Sequence, residues 1–214
     1  MYKRQLEGRS SERFLELATS GAVRSKYQPE AVTTLEGLLF PDTYLVAEDE
    51  DEERILRRMV ALFEQVADGA GIADGARALG LTPYELVVVA SLVEEETKIA
   101  DERALVSAVI RNRLERGMLL QIDATVLYAL GEHKNRVLFR DLEVDSPYNT
   151  YRYAGLPPTP IAAPGAESLA AAAAPADSPF LFYVKIDADG RHKFAETAAE
   201  HGRNVAEARA KGVR

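Results

Sequence analysis

Leu81-Thr82-Pro83-Tyr84-Glu85-Leu86-Val87-Val88-Val89-Ala90-Ser91-Leu92-Val93-Glu94-Glu95-Glu96-Thr97 is the stretch that organises the chain. It opens with a full set of helix-start signals. Thr82 is placed to cap, and Pro83 brings the fixed φ that suits the first helical position. Glu85, three residues past the cap, closes a capping box, while Leu81 and Leu86 are spaced as a hydrophobic staple. From Leu86 to Val93 the residues are apolar or small almost without interruption. A surface helix would place polar residues in that run, so this helix is predicted to be buried on most sides. Three carboxylates then arrive together at its end.

Their directions differ. At about 100° per residue, Leu86, Val89, Ala90, Val93 and Thr97 share one face. Glu95 points almost opposite that face, toward solvent. Glu94 and Glu96 lie on its two shoulders, about 160° apart. A carboxyl group at the end of a buried helix meets desolvation and the negative end of the helix dipole, and both raise its pKa. That environment suits an acid still protonated near neutral pH. Spacing alone leaves a second reading open, an acidic helix end paired with Lys98 or Arg103, because ion pairs perturb pKa values too.

Working outward, the 214 residues suffice for one domain with a substantial core, or one domain with a small appendage. Apolar content of 47% and 28% charged residues are ordinary for a globular protein. A net charge of −8, with no basic stripe, argues against nucleic-acid binding. Cysteine is absent, which excludes disulfides, thiolate metal sites and a cysteine nucleophile. No apolar run reaches the length of about 18 residues that a membrane helix needs. The opening Met1-Tyr2-Lys3-Arg4-Gln5 reads as an abrupt boundary at which an anchor could have been lost.

Before the central stretch, Phe14, Leu15 and Leu17, with Ser10 or Ser11 as cap, predict a short helix over residues 8–20. Residues 35–46 read as a strand or turn-rich segment broken by Pro41. The acidic run 48–53 opens a helix with Ile55, Met59, Leu62, Phe63 and Val66 on its apolar positions, where acids complement the dipole. Residues 69–80 read as a linker with a helical turn around Ala76-Arg77-Ala78. After the central stretch, Asp101 starts a helix that Gly117 stops. Asn112 extends its apolar face, so a polar amide is held inside, either stitching core backbone or supporting a site. Residues 124–130 form a short helix for which Asp123 is the expected N-cap.

From Phe139 to Pro164 the character changes to a long Pro- and Tyr-containing loop, Pro147-Tyr148-Asn149-Thr150-Tyr151 among it. Loops of that length inside compact domains are often functional. Tyrosines interleaved with amides and hydroxyls suit sugar rings, although packing on the domain's own core explains them too. Residues 166–174 read as helix, Phe180 to Ile186 is the strongest strand signal, and Gly190 to Phe194 is its returning partner. Residues 197–211 close the chain as a helix bearing His201. No phosphate loop, nucleophile elbow or zinc-protease motif is present. His133, His192 and His201 show no ligand spacing, so the expectation is no metal and no cofactor.

Several of these segments, in one order, resemble the endolytic murein transglycosylases of the YceG-like family. They are Leu35-Glu36-Gly37 with Phe40-Pro41-Asp42-Thr43-Tyr44, then Ala90 to Thr97, then Arg111-Asn112-Arg113-Leu114. Leu120-Gln121-Ile122-Asp123-Ala124-Thr125-Val126, Tyr148-Asn149-Thr150-Tyr151, Gly155-Leu156-Pro157-Pro158 and His192-Lys193-Phe194 complete the series. The resemblance covers residues 33–214. It implies that residues 1–32 are the tail of a LysM-like subdomain or a connector. The fold it implies is α+β, helix-rich with a small strand portion. The family's membrane helix has no counterpart here, which fits a soluble piece of an anchored protein acting at the extracytoplasmic face of the bacterial cytoplasmic membrane.

The implied activity is cleavage of the β-1,4 bond between N-acetylmuramic acid and N-acetylglucosamine in peptidoglycan strands, leaving 1,6-anhydro ends. Glu96-Thr97 also looks like the Glu-Ser pair that marks the acid in other lytic transglycosylases. That match selects Glu96 as the catalytic residue and leaves Glu94 as a supporting carboxylate. Gln121, Asp123, Tyr148, Asn149, Tyr151 and His192 become candidates for the glycan groove. Cell-wall synthases are the expected protein partners. The alternative reading is a peptidoglycan-binding or scaffold module without activity; a third is a metal-dependent hydrolase using His192, His201 and a Glu.

Overall fold

A computed structural model describes residues 9–131 and 137–213. Among the described residues the chain runs α1 (Ser11–Thr19), α2 (Glu52–Gly69), α3 (Ile72–Leu79), α4 (Pro83–Glu96), α5 (Arg103–Glu115), α6 (Asp123–Leu130) and α7 (Ala166–Ala173). The hairpin of β1 (Phe182–Lys185) and β2 (His192–Ala195) follows, then α8 (Ala198–Ala210). Short 3-10 turns cover Ala100–Glu102 and Phe139–Glu143. The architecture is α+β and helix-rich.

The central helix starts where its signals place it. Thr82 Oγ1 accepts the Glu85 N–H at 3.2 Å, and Glu85 Oε2 accepts the Thr82 N–H at 2.7 Å, a reciprocal capping box. Every residue from Leu86 to Val93 is buried, as is Tyr84. A helix buried on all sides needs neighbours on all sides, and α3, α5, α6 and α7 supply them. Each fully buried Leu or Val contributes about 1.5–3 kcal/mol, so α4 carries a large part of the core. Phe14 and Leu17 of α1 and Ile55, Leu56, Val60 and Phe63 of α2 extend the same cluster.

One local expectation changes. Residues 69–80 are not a linker with one turn; α3 is a full helix between left-handed glycines, Gly71 at φ +75° and Gly80 at φ +68°. Glycine inside a helix weakens it, which is why the sequence hid this element. Gly75 is there for packing: a Cβ on it would lie 2.6 Å from the Ala173 carbonyl oxygen of α7. Residues 35–46 take the turn-rich alternative, a turn at Glu36-Gly37 followed by irregular chain. Gly37 takes φ +73° in that stretch and lets the backbone press against Pro160.

The hairpin pairs antiparallel, with Phe182 opposite Ala195 and Lys185 opposite His192. α8 packs against both strands. What holds this unit beside the end of α4 is α5. Asn112 Nδ2 donates to the Ser178 carbonyl at 2.8 Å and the Phe180 carbonyl at 2.9 Å. Arg113 Nε donates to the Leu181 carbonyl at 2.6 Å. Asn112 is therefore a stitch between α5 and the strand lead-in. Among the described residues no single helix is long and apolar enough to cross a membrane.

Candidate active site

Where α4 ends, β1, β2, the start of α6 and the 120–121 segment surround an open cleft of about 960 Å³, its mouth included. Glu96, Gln121, Asp123, Tyr151, Tyr183, Lys185, His192 and His201 line it together with Arg113. Five sequence-predicted residues thus come together: Glu96, Gln121, Asp123, Tyr151 and His192.

Glu96 sits where the buried part of α4 meets the cleft. Its Oε2 accepts the Tyr183 hydroxyl at 2.6 Å, a contact spanning 87 residues of sequence. Burial pushes the Glu96 carboxyl from its ordinary 4.5 up to about 7. The Tyr183 hydrogen bond opposes that rise, the charges of Asp123 and Glu95 add to it, and the Arg113 guanidinium opposes it. A carboxyl group so balanced can hold a proton near neutral pH and release it at modest cost, as a general acid must.

Asp123 is not the cap expected of it. Ile122 occupies the N-cap position of α6, and Asp123 is the first helical residue. Its carboxylate instead accepts the Tyr151 hydroxyl at 2.5 Å. Burial first, and that bond second, push the Tyr151 phenol well above its usual range. Gln121 reaches the cleft by strain. Its φ of +53° makes it the one non-glycine with positive φ among the described residues. Neighbouring bonds hold it there: Gln121 N–H to the Thr150 carbonyl at 3.1 Å, Ile122 N–H to Thr150 Oγ1 at 3.0 Å, and Arg113 Nη1 to the Leu120 carbonyl at 2.6 Å. Backbone strain persists only where the surroundings over-determine it, and it concentrates at functional sites.

Three predicted residues lie elsewhere. Glu94 points to the other shoulder of α4, where its Oε2 accepts the Gly165 N–H at 3.0 Å and the Ser168 hydroxyl at 2.6 Å. Gly165, the N-cap of α7, has no side chain to cap with, so Glu94 caps that helix from outside. Tyr148 packs tilted against Tyr128 at 4.8 Å between ring centres, and its hydroxyl meets Thr159 Oγ1 at 2.7 Å. Asn149 is fully buried. Its amide donates to the Leu142 and Val144 carbonyls, each at 2.9 Å, and its Oδ1 accepts the Tyr151 N–H at 3.0 Å. Asn149 shapes the loop that carries Tyr151 instead of facing the cleft.

Tyr183, Arg113 and Glu102 were missed. Tyr183 is the hydroxyl partner of Glu96, and only the strand alternation around it carried a signal, without saying which face would meet α4. Arg113 is 8% exposed, and its guanidinium lies 5.2 Å from the Phe182 ring centre. Buried cations usually mark ion pairs; here carbonyl oxygens take the place of a carboxylate. Glu102 meets His192 behind the cleft. Among the described residues no three or more His, Asp or Glu side chains gather closely enough to hold a metal ion. His133 and Met1–Gln5 lie outside the described residues.

The YceG-like family model matches residues 5–207. The chain is 39% identical over 170 residues to an endolytic murein transglycosylase of Bacillus subtilis (strain 168), covering 79% of this chain and 46% of that protein. An endolytic murein transglycosylase of Streptococcus pneumoniae (strain D39) is 33% identical over 178 residues, 81% of this chain and 32% of that one. The chain thus spans less than half the length of these two relatives. The crystal structure of a yceG-like protein from Listeria monocytogenes superposes with a TM-score of 0.73 at 35% identity, covering 90% of this chain and 64% of that one. Coverage of nearly the whole chain by one family model, and the same fold at this identity, lead to one statement: the chain belongs to the YceG-like family.

Proposed function

We propose that this chain is an endolytic peptidoglycan lytic transglycosylase and that Glu96 is its acid and then its base. The observation that carries the reading is the Glu96–Tyr183 contact, with a carboxyl poised at about 7 facing an open cleft. Relatives whose names carry this activity support it. Protonated Glu96 gives its proton to the oxygen between N-acetylmuramic acid and N-acetylglucosamine as the bond from that oxygen to C1 breaks. The C6 hydroxyl of the muramyl residue then attacks C1, and Glu96, now a carboxylate, takes its proton. No water is consumed, the enzyme returns to its starting state, and the product end is a 1,6-anhydro ring. Attack within one sugar has the advantage of an intramolecular reaction.

Tyr183 steadies the anion that Glu96 becomes, so its bond is strongest when the proton has left. Asp123 adds negative charge to the cleft, which favours positive character at C1. Gln121, Tyr151 and His192 supply hydrogen-bonding groups for the sugars. Peptidoglycan lies beyond the cytoplasmic membrane, so the proposed place of action is its outer face. The proposed partners are the synthases that extrude new strands.

One observation favours a second reading. Asp123 shares the cleft with Glu96, and hydrolases use two carboxylates, one of which activates water. Digestion of purified glycan strands in oxygen-18 water, followed by mass analysis, separates the two. Unlabelled anhydro ends are expected; labelled reducing ends as the main product would overturn the transglycosylase reading. Strands that bind but remain intact would point to the non-catalytic module.

A further inference from the structure

Behind the cleft, the 3-10 turn that follows α4 ends on Glu102, a carboxylate only 5% exposed. Both of its oxygens are spent on a single residue. Oε1 accepts the His192 N–H at 3.0 Å, and Oε2 lies 2.8 Å from His192 Nδ1. The imidazole is itself fixed, with the Tyr183 ring edge-on at 5.4 Å and the Phe194 ring at 6.4 Å between centres. Fastening β2 to the turn does not need this pair. Arg191 and Asp101, one residue earlier on each side, already join the two segments at 3.3 Å in an exposed ion pair. Burying a second carboxylate costs desolvation that a latch alone would not require.

A carboxylate can only accept, so the Nδ1 facing it carries the proton. In the neutral ring Nε2 is then a bare acceptor, and among the described residues it has no partner. His192 lines the cleft that holds Glu96. We propose that Glu102 is a positioning residue: by taking the Nδ1–H of His192 it fixes the tautomer that presents Nε2 to the cleft as an acceptor for a hydroxyl of the bound glycan. This rests on the glycan-cleaving reading for its ligand but not for its tautomer. The chemistry selected is a hydroxyl donor on a sugar ring, complementary to Glu96, which offers a proton.

The test reads the tautomer directly. Long-range proton–nitrogen correlation on protein labelled with nitrogen-15 histidine, with His192→Gln for assignment, should show the Nδ1–H form in the wild type. Glu102→Gln keeps the size of the group but can donate from its amide to Nδ1, so the ring should switch to Nε2–H. In a Glu96→Gln background, purified uncrosslinked glycan strands should shift the His192 Nε2 signal. Adding Glu102→Gln should weaken their binding about tenfold, the effect of one hydrogen bond. An Nε2–H ring in the wild type, or unchanged strand binding with Glu102→Gln at unchanged melting temperature, would overturn the proposal. If Glu102→Gln fails to fold, the wild-type tautomer and the strand-induced shift decide alone. If strands shift Nε2 yet the wild type makes no anhydro ends, the positioning role stands and the transglycosylase reading fails.

Discussion

Tyr183→Phe removes one hydroxyl and leaves the ring that packs against His192 and Phe194. The lost bond is the 2.6 Å donation to Glu96 Oε2. A hydrogen bond to a charged group contributes about 1.5–3 kcal/mol, and each pKa unit corresponds to about 1.4 kcal/mol. The bond stabilises the carboxylate, so without it the Glu96 pKa should climb by about 1–2 units above its present value near 7. Proton donation needs the protonated form, and activity is lost as pH rises through the pKa of the free enzyme's acid. The alkaline limb of kcat/KM should therefore move upward by about 1–2 pH units. The same loss leaves the Glu96 carboxylate that forms as its proton departs less stabilised, so the plateau should fall by about 10–10². The assay is release of anhydro ends from glycan strands between about pH 5 and 10, a window set by these pKa values. A limb that stays in place or moves down would refute the assignment of Tyr183 as the partner that tunes Glu96.

Glu96→Gln should reduce cleavage by 10²–10⁴, the usual share of general acid–base catalysis. Its stability effect has a definite sign: the unfolded carboxyl ionises near 4.5 and the folded one near 7, so the wild type loses stability as pH rises across that window, by at most about 3 kcal/mol. The variant should melt above the wild type at alkaline pH and lose that advantage below about pH 4.5, where both carboxyl forms are neutral; an equal gap at both pH values would contradict it. Glu94→Ala should lower stability by about 1–3 kcal/mol through the uncapped start of α7 while folded molecules keep their turnover, and loss of turnover at full stability would return Glu94 to the chemistry. Asn149→Ala leaves two part-buried carbonyls without their donor and should destabilise by about 1–3 kcal/mol in urea titration; unchanged stability with weakened glycan binding would place its amide in the groove after all. Gly75→Ala, which helix propensity alone would favour by about 1 kcal/mol, should destabilise because the added methyl meets the Ala173 carbonyl.

Local rules made α4 legible: its cap, its proline and its unbroken apolar run each act within a few residues. The opposite shoulders of Glu94 and Glu96 followed from helical period alone. What sequence could not give was the partner on each shoulder. Glu94 meets Gly165, 71 residues away, and Glu96 meets Tyr183, 87 residues away. Asn149 and Asp123 show the same limit in reverse. Sugar-compatible chemistry described Asn149 well, but its amide is consumed by loop carbonyls of its own neighbourhood. The capping pattern suited Asp123, yet one position along the helix turned a cap into a cleft carboxylate. α3 escaped because Gly75 within it and Gly71 and Gly80 at its ends weaken the propensity signal, and the reason for Gly75 lies on another helix.

The acid's environment therefore depends on two independent anchors. α4 fixes the backbone of Glu96 through burial, a rigid but purely apolar constraint. The position of Tyr183 depends on the hairpin, and the hairpin depends on α5. Arg113 is the joint between the two. Its guanidinium donates to the Leu181 carbonyl ahead of Tyr183 and to the Leu119 and Leu120 carbonyls ahead of Gln121, so one side chain sets both walls of the cleft. It also lowers the pKa that burial raises in Glu96. A carboxylate in place of those carbonyls would hold Arg113 more strongly but would cancel the charge that Glu96 feels. Neutral acceptors let one buried cation shape the site and still act on its acid, which is why this arginine makes no ion pair among the described residues where a buried arginine ordinarily would.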